Sequence, residues 1–272
     1  MKKKRLIPVL LLKNGWLVQS KGFARYQNIG NPVTSVLRLS EWASDELIYL
    51  DISTEGSYDL RRDDLGHANR HTIREILSDV SKVCFMPVTV GGRIRSEDDI
   101  RQRLSWGADK VSLNTQPLET PEFITSAARE FGSQCLVVSV DVKVIDGRHT
   151  VMSHGGRRPT ERHPLEWARQ VEELGAGEVL INSVDRDGMR TGYDIELLAR
   201  ISDAVSIPVI ACGGVGEWAH FAEGLEQTAV DAVAAANIFH YTDQSVYLAK
   251  KCLFDRGLNV RRPDLLTIDE GR

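Results

Sequence analysis

Eight short apolar runs, separated by longer amphipathic stretches, constrain the fold of this chain more than any other feature. Several runs are apolar almost throughout, which is typical of parallel strands covered on both faces. The stretches between them open with Ser or Pro plus acidic residues and close on Gly, as helices do. Eight strand–helix units predict a (β/α)8 TIM barrel, with an open doubly wound sheet as the alternative. The predicted strands occupy residues 5–12, 46–52, 87–90, 110–113, 135–141, 178–183, 208–212 and 231–236, and the clearest helices 96–107, 121–132 and 164–175.

The second half of the chain repeats motifs of the first half. Gly91-Gly92 after the third strand recurs as Gly213-Gly214 after the seventh. Asn114 after the fourth strand recurs as Asn237 after the eighth, and the two spacings agree to within one residue. The pattern predicts a barrel with a two-fold internal half-barrel repeat, whose mouth binds a ligand with two similar groups.

Composition limits the classes of function. The chain has 272 residues and a formal net charge of −4, which argues against nucleic acid as a partner. The basic start lacks a cleavage site and runs into a short apolar strand, and no stretch is long enough to span a membrane. Four scattered cysteines indicate reduced thiols. We expect a cytoplasmic protein without metal or cofactor, with a single barrel domain over 1–258 and a charged tail over 259–272.

Candidate ligand-binding residues follow the strand ends, where TIM barrels carry their active sites. Glycines there let backbone N–H groups approach a phosphate, and helix N-termini strengthen the site. One glycine pair is explained equally well as a tight turn, but two pairs on opposite sides of the mouth favour a ligand with two phosphates. The predicted phosphate- or substrate-binding residues are Gly91, Gly92, Asn114, Thr115, Asp187, Gly188, Gly213, Gly214, Ala236 and Asn237.

Two acidic residues and one arginine complete the predicted mouth. Asp141 ends the fifth strand and is placed as a general acid or base, although it could simply bind loop backbone or Lys143. Asp187, in the loop after the sixth strand, either contacts ligand or forms the turn. Arg93 stands where another small residue is expected after Gly92, so it either pairs with a phosphate or partly blocks the site.

At the other end of the barrel, four charged residues stand at the starts of strands one, two, four and six. Charges at strand starts ordinarily face solvent. Two acids and two bases at matching heights can also close into a salt-bridged ring, and a buried ring is costly unless it is fully paired. The pattern therefore predicts a plug or gate formed by Arg5, Glu46, Lys110 and Glu178.

The chain resembles the HisF family, the cyclase subunit of imidazole glycerol phosphate synthase, from its start to about residue 257. The resemblance is carried by ADKVSLNT, FGSQCLVVSVDVK, SHGGR, GAGEVLINSVDRDG and NIFH. It implies a glutaminase partner of the HisH type, which releases ammonia at the foot of the barrel. The ammonia then crosses the gate to a bisphosphate ribonucleotide, PRFAR, where two aspartates at the ends of strands one and five act. The resemblance assigns the catalytic role to Asp141 and a partner contact to Asp109.

The reaction centre departs from the family pattern while the gate matches it. The aspartate of the first strand falls on Leu11, the third glycine of the strand-three loop on Arg93, and a phosphate-binding lysine on Gln19. Two further departures are Asn182 and Cys212, in place of Thr and Ser. Since Leu11 cannot transfer a proton, half of the acid–base pair is missing.

This combination resembles divergent HisF relatives associated with surface-polysaccharide genes. The leading hypothesis is a subunit that channels glutamine-derived ammonia for sugar amidination, with a HisH-type glutaminase, a phosphorylated small molecule and a sugar amidotransferase as partners. One alternative is a true cyclase of histidine biosynthesis, which converts PRFAR and ammonia to imidazole glycerol phosphate and AICAR. The other is a non-catalytic, phosphate-binding activator of the glutaminase.

Overall fold

The computed structural model describes residues 2–54, 58 and 70–265. The strands are β1 (Arg5–Lys13), β2 (Trp16–Lys21), β3 (Arg25–Gly30), β4 (Leu47–Asp51), β5 (Val88–Gly91), β6 (Lys110–Leu113), β7 (Leu136–Ile145), β8 (Arg148–Ser153), β9 (Arg158–Pro159), β10 (Glu178–Ser183), β11 (Val209–Cys212) and β12 (Ala232–Ala235). The helices are α1 (Pro32–Glu41), α2 (Ile73–Val83), α3 (Glu97–Ser105), α4 (Thr115–Glu119), α5 (Glu122–Phe131), α6 (Pro164–Glu173), α7 (Ile195–Ser202), α8 (Trp218–Gln227) and α9 (Ser245–Asp255).

Eight parallel strands close into a barrel in the order β1, β4, β5, β6, β7, β10, β11 and β12, and β12 pairs with β1. Helices connect successive strands on the outside. The predicted TIM barrel is therefore confirmed, and each predicted strand coincides with one of these eight to within a few residues.

Two hairpins that the sequence analysis did not predict rise above the mouth of the barrel. β2 and β3 follow β1, and β8 and β9 follow β7. β1 turns back into β2, and β7 into β8, at a two-residue loop, Asn14-Gly15 or Asp146-Gly147, in which both residues have positive φ. That conformation is the favoured turn for twisted antiparallel strands. The hairpins occupy the same place in each half of the barrel, in agreement with the internal repeat.

Alternate side chains of the barrel strands point inward and outward. The larger core lies between the strands and the surrounding helices, where Trp167, Phe221 and Phe239 are almost fully buried. A second cluster fills much of the barrel interior with Ile7, Val9, Ile48, Val137, Leu180, Ile210 and small residues of β12. The interior is thus a packed core in which any polar side chain stands out.

The first residues of the predicted tail pack on the foot of the barrel. The N–H of Lys4 donates to the carbonyl of Asn259 at 2.8 Å, and Val260 is only 1% exposed. Residues 266–272 of the tail lie outside the described residues. Within the described part of the chain, no helix combines the length and the apolar character that a bilayer crossing requires.

Candidate functional site

Asp141 lies at the inward-facing end of β7, below the β8–β9 hairpin. Its side chain is buried at 6% exposure, and Met152 of β8 is its antiparallel partner. Burial raises the pKa of Asp141 to about 7; a hydrogen bond from Asn114 opposes this shift and the nearby charge of Asp187 adds to it. A carboxyl group with such a pKa can both release and accept a proton near neutral pH.

Leu11 holds the equivalent position on the opposite wall. β1 and β7 are four strands apart in the ring of eight, and each turns into its hairpin just after this point. The side chain of Leu11 packs against the apolar cluster of the interior, and Leu50 lies beside it in register on β4. The mouth therefore carries a carboxyl group on one wall and hydrocarbon on the other.

Asp187 anchors the β2–β3 hairpin. Its carboxylate accepts hydrogen bonds from the hydroxyl of Ser20 at 2.6 Å and from the N–H of Phe23 at 3.2 Å. Burial raises the pKa of Asp187, although these bonds oppose the shift. The adjacent Gly188 packs so closely on Ser20 that a Cβ would lie 2.5 Å from its carbonyl oxygen. The carboxylate of Asp187 thus binds the first hairpin, and its contact with a ligand stays a prediction.

The strand-seven cradle, which we define as residues 213–216 after β11, is open at its backbone. Gly213 and Gly214 have φ values of 95° and 106°, and a Cβ on Gly214 would collide with the carbonyl oxygen of Gly192. Among the described residues, the N–H groups of Gly214 and Val215 have no hydrogen-bond acceptor. The segment can therefore offer two backbone donors to an anion.

The side chain of Asn237, predicted as a further donor beside this cradle, is hydrogen-bonded to the backbone of Ser20. Its amide donates to the carbonyl of Ser20 at 2.7 Å and accepts from the N–H of Ser20 at 3.2 Å. The segment that follows Ala236 is a four-residue 3₁₀ turn rather than a full helix. Of the groups of Ala236 and Asn237, the backbone remains available to a ligand.

The strand-three cradle, which we define as residues 91–93 after β5, is occupied by an internal ion pair. Arg93 has a φ of 55°, and its guanidinium lies 2.6 Å from the carboxylate of Asp51 at the end of β4. The Asp51 side chain is 1% exposed and also accepts a bond from the hydroxyl of Tyr58 at 3.1 Å. A Cβ on Gly92 would collide with the carbonyl oxygen of Asp51, so the cradle sits directly on that residue.

The predicted donors beside this cradle are also engaged. The side-chain amide of Asn114 donates to the carbonyl of Ser139 at 3.0 Å, and the hydroxyl of Thr115 accepts from the N–H of His154 at 3.0 Å. The helix that begins at Thr115 has only five residues. Of the two predicted roles of Arg93, the structure favours closure of the cradle.

At the foot, the four predicted charges meet in a closed ring. Arg5 contacts Glu46 at 2.7 Å and Glu178 at 3.0 Å, and Lys110 contacts the same two carboxylates at 3.2 and 2.6 Å. The side chains are only 11–19% exposed. Each base touches both acids, so no charge in the ring lacks a partner.

Electrostatics favour the ionised forms of Arg5 and Glu178 in the ring. Burial alone lowers the pKa of Arg5, but its contacts with Glu178 and Glu46 outweigh that effect and raise it. Burial likewise raises the pKa of Glu178, and the bonds from Arg5 and Lys110 reverse the shift and lower it. Mutual pairing of this kind offsets the cost of taking charges out of water.

A polar stripe that the sequence analysis did not identify connects the ring with Asp141. Thr89, Ser112 and Ser139 lie on the neighbouring strands β5, β6 and β7 and are 2–6% exposed. They alternate inward with Lys110 and Asp141 on the same wall, whereas the opposite wall is apolar. A usable signal existed: inward positions that carry hydroxyl groups in otherwise apolar strands.

Beside the ring, the foot also carries a groove of about 400 Å³, whose lining is polar as well as apolar. It is lined by residues of α2 and of the loop into β5, including Met86 and Phe85, whose side chain is 74% exposed. Asp109 lines its edge, where its carboxylate accepts the N–H of Val88 at 2.8 Å. The groove and the ring thus share one face of the barrel.

Comparison with protein families supports a relation that covers most of the barrel. The family model described as "Histidine biosynthesis protein" matches residues 5–245. The match runs from the first residue of the ring to the start of α9, and so includes both cradles, Asp141 and the whole foot. Members of this family are isomerases and cyclases built on TIM barrels.

Proposed function

Because the chain belongs to the family of histidine biosynthesis proteins, we propose that it is the HisF-type synthase subunit of a glutamine amidotransferase complex. It receives ammonia from a HisH-type glutaminase at the foot and passes it through the barrel to an acceptor at the mouth. The observation that carries the proposal is the closed ring of Arg5, Glu46, Lys110 and Glu178. A packed apolar plug on the barrel axis would stabilise the protein about as well as this four-membered ionic ring, so stability alone does not explain the ring.

The polar stripe supports a path above the ring. Ammonia both donates and accepts hydrogen bonds, and the hydroxyls of Thr89, Ser112 and Ser139 can do the same. Along the apolar wall a migrating ammonia would lose its partners at a cost. The stripe ends at Asp141, whose pKa of about 7 suits it to take a proton from the nucleophile or return one.

The groove at the foot supports a protein partner. An exposed phenyl ring beside a groove is typical of a contact surface, and Phe85 and Asp109 both line this groove. A glutaminase seated there would cover the ring, so ammonia would be released at the gate rather than into bulk solvent.

The acceptor follows from the altered mouth. A single carboxyl group at Asp141, with Leu11 opposite, does not supply the two-aspartate chemistry of the cyclase. We therefore favour delivery of ammonia for sugar amidination in surface-polysaccharide biosynthesis, together with a sugar amidotransferase. Retention of Asp141 favours the second candidate, a true cyclase. The third candidate, an activator of the glutaminase without catalysis of its own, requires only a phosphate-binding mouth and a foot that contacts the glutaminase.

Purified protein separates these candidates. With PRFAR and ammonium we expect little imidazole glycerol phosphate, whereas a co-expressed HisH-type glutaminase should bind and hydrolyse glutamine faster. Asp109→Asn, which keeps an acceptor for Val88, should weaken that binding, and the exposed Asp243→Asn should not. Robust cyclisation would replace the amidination proposal by the cyclase. A glutaminase that neither binds nor responds would refute the synthase-subunit assignment itself.

A further inference from the structure

The two cradles of the mouth differ in charge although they are equivalent in the repeat. In the strand-three cradle, the cation of Arg93 is neutralised by the buried Asp51. The helix that follows, α3, opens with Glu97, Asp98 and Asp99, which outnumber the single exposed cation of Arg95. Three negative charges at this helix start repel an anionic ligand.

The capping of α3 closes the strand-three side further. Asp99 and Ser96 form a reciprocal capping box, and the carboxylate of Asp99 also accepts the N–H of Arg95 at 3.0 Å. Three N–H groups at this helix start, those of Arg95, Ser96 and Asp99, therefore already have acceptors within the protein. In this half of the mouth, the carboxylates of Asp51 and Asp99 therefore occupy the cationic and N–H groups that a bound anion would need.

The strand-seven cradle has the opposite character. The helix that follows it, α8, has no acidic residue in its first turn and no side-chain cap. Glu217 precedes the helix, but its side chain is 68% exposed and lies 3.6 Å from His220. The free N–H groups of Gly214 and Val215 are next to this uncapped start.

Arg190 supplies a cation at the same cradle. It lies in the loop after β10 with a φ of 62°, and a Cβ on Gly216 would collide with it, so the two backbones are in direct contact. Its guanidinium stacks 4.8 Å from the ring centroid of Tyr241, and Tyr241 donates to Gln19 at 2.9 Å. Among the described residues Arg190 has no carboxylate partner. Arg190 is exposed, and its planar guanidinium can pair with a phosphoryl group bound at the cradle.

We propose that the mouth binds a ligand with one phosphoryl group, held at the strand-seven cradle by Arg190 and the N–H groups of Gly214 and Val215. The Arg93–Asp51 pair takes the place of a second phosphoryl group at the strand-three cradle. This rests on the proposed function and narrows its acceptor to a monophosphorylated compound such as a sugar monophosphate, in place of the bisphosphate that the two-fold repeat suggests.

Titration calorimetry at low salt tests this, with inorganic phosphate and a sugar monophosphate as separate probes. We expect one phosphate per chain. Arg190→Ala should weaken binding about tenfold or more, as loss of a charge-assisted contact does, and the control Arg169→Ala on the outer face of α6 should not. If the sugar monophosphate binds more tightly than inorganic phosphate, the ligand is a phosphorylated sugar. Equal affinities would mean that the site recognises a free anion, and would overturn the assignment of a sugar.

Opening the other cradle completes the test. Arg93→Gly suits the positive φ at this position, and combination with Asp51→Asn avoids an unpaired buried carboxylate. The double variant should bind a second phosphate. Two sites in the wild type, none at all, or one site in the double variant would each overturn the proposal. Because these binding measurements contain no glutaminase, such a failure would say nothing about ammonia transfer. Conversely, if one phosphate binds as expected but the chain does not couple to a glutaminase, the proposed function alone is refuted.

Discussion

Asp141 is a buried carboxyl group, and burial destabilises its ionised form. Its ordinary pKa of 3.8 applies to the unfolded chain, and burial raises it to about 7 in the folded protein. Between these two values the folded state holds a proton that the unfolded state has lost. The free energy of unfolding therefore falls as pH rises from about 4 to about 7 and then levels off. Proteins keep such groups mainly where proton transfer requires them.

Asp141→Asn should remove this dependence. We expect the variant to be more stable than the wild type above pH 7, by roughly 2–4 kcal/mol, with the difference shrinking towards pH 4. Urea midpoints measured from pH 4 to pH 9 give the comparison, and the exposed Asp243→Asn serves as control. A constant difference across this range would mean that Asp141 titrates normally and is no proton-transfer group.

Leu11 and Arg93 are two independent obstacles to cyclase chemistry. On the proposed function, Leu11 takes the place of an acid, whose loss typically costs about 10²–10⁴-fold in rate, and the Arg93–Asp51 pair takes the place of a second phosphoryl group. Leu11→Asp alone should therefore restore little turnover of PRFAR with ammonium, whereas Leu11→Asp with Arg93→Gly should restore more. Leu50→Asp with Arg93→Gly, which puts a carboxylate on the neighbouring strand, is the matched control. Equal activity of the two double variants would show that position 11 is not special.

At the scale of elements, the hairpins show what the sequence could and could not predict. The eight barrel strands were predictable because each is a short, mainly apolar run between longer amphipathic stretches. The strands beyond the barrel were missed although Asn14-Gly15 after β1 and Asp146-Gly147 after β7 are strong hairpin turns; β3 in particular is largely exposed and has no apolar pattern. Its position depends on contacts with Asp187, which lies far away in the sequence.

The β2–β3 hairpin should therefore depend on one carboxylate. Asp187→Ala removes the acceptor of Ser20 and of the Phe23 N–H, so we expect faster hydrogen exchange over residues 16–30. Peptides from 148–159 report on the other hairpin and should not change. Unaltered exchange over 16–30 would show that the strand pairing with β1 suffices.

The candidate site was predictable in its residues but not in its pairing. Glycine pairs, a strand-end acid and charges at strand starts are all visible in sequence. The partners of Arg93 and Asn237 are not, because Asp51 and Ser20 come from other strands and only the closed barrel brings them together. These internal contacts decide which side chains remain for a ligand, and this is why the roles assigned to Asn114 and Asn237 contract to their backbones.

At the scale of the whole molecule, the proposed function assigns a different role to each end of the barrel. The ring and the groove occupy the foot, and Asp141 and the cradles occupy the mouth, with the packed interior between them. A change at one end should therefore affect transfer between the ends without altering the other end itself. This separation makes a ratio of two activities more informative than either activity alone.

Lys110→Ala tests the gate through such a ratio. The change leaves Glu46 and Glu178 to share Arg5, so we expect a ring that is open or distorted and a protein about 1–3 kcal/mol less stable but folded. Lys251→Ala, which breaks an exposed pair with Asp255 on α9, controls for the loss of a lysine.

In a complex with a HisH-type glutaminase, as proposed, product formation from glutamine should fall because ammonia is no longer confined at the gate. Product formation from added ammonium should change less, since free ammonia reaches Asp141 from the open mouth. The measurement is the ratio of the glutamine-driven to the ammonium-driven rate in Lys110→Ala, Lys251→Ala and wild type. If both rates of Lys110→Ala fall in parallel, or neither falls, the ring is a structural feature of the foot and the ammonia conduit is refuted.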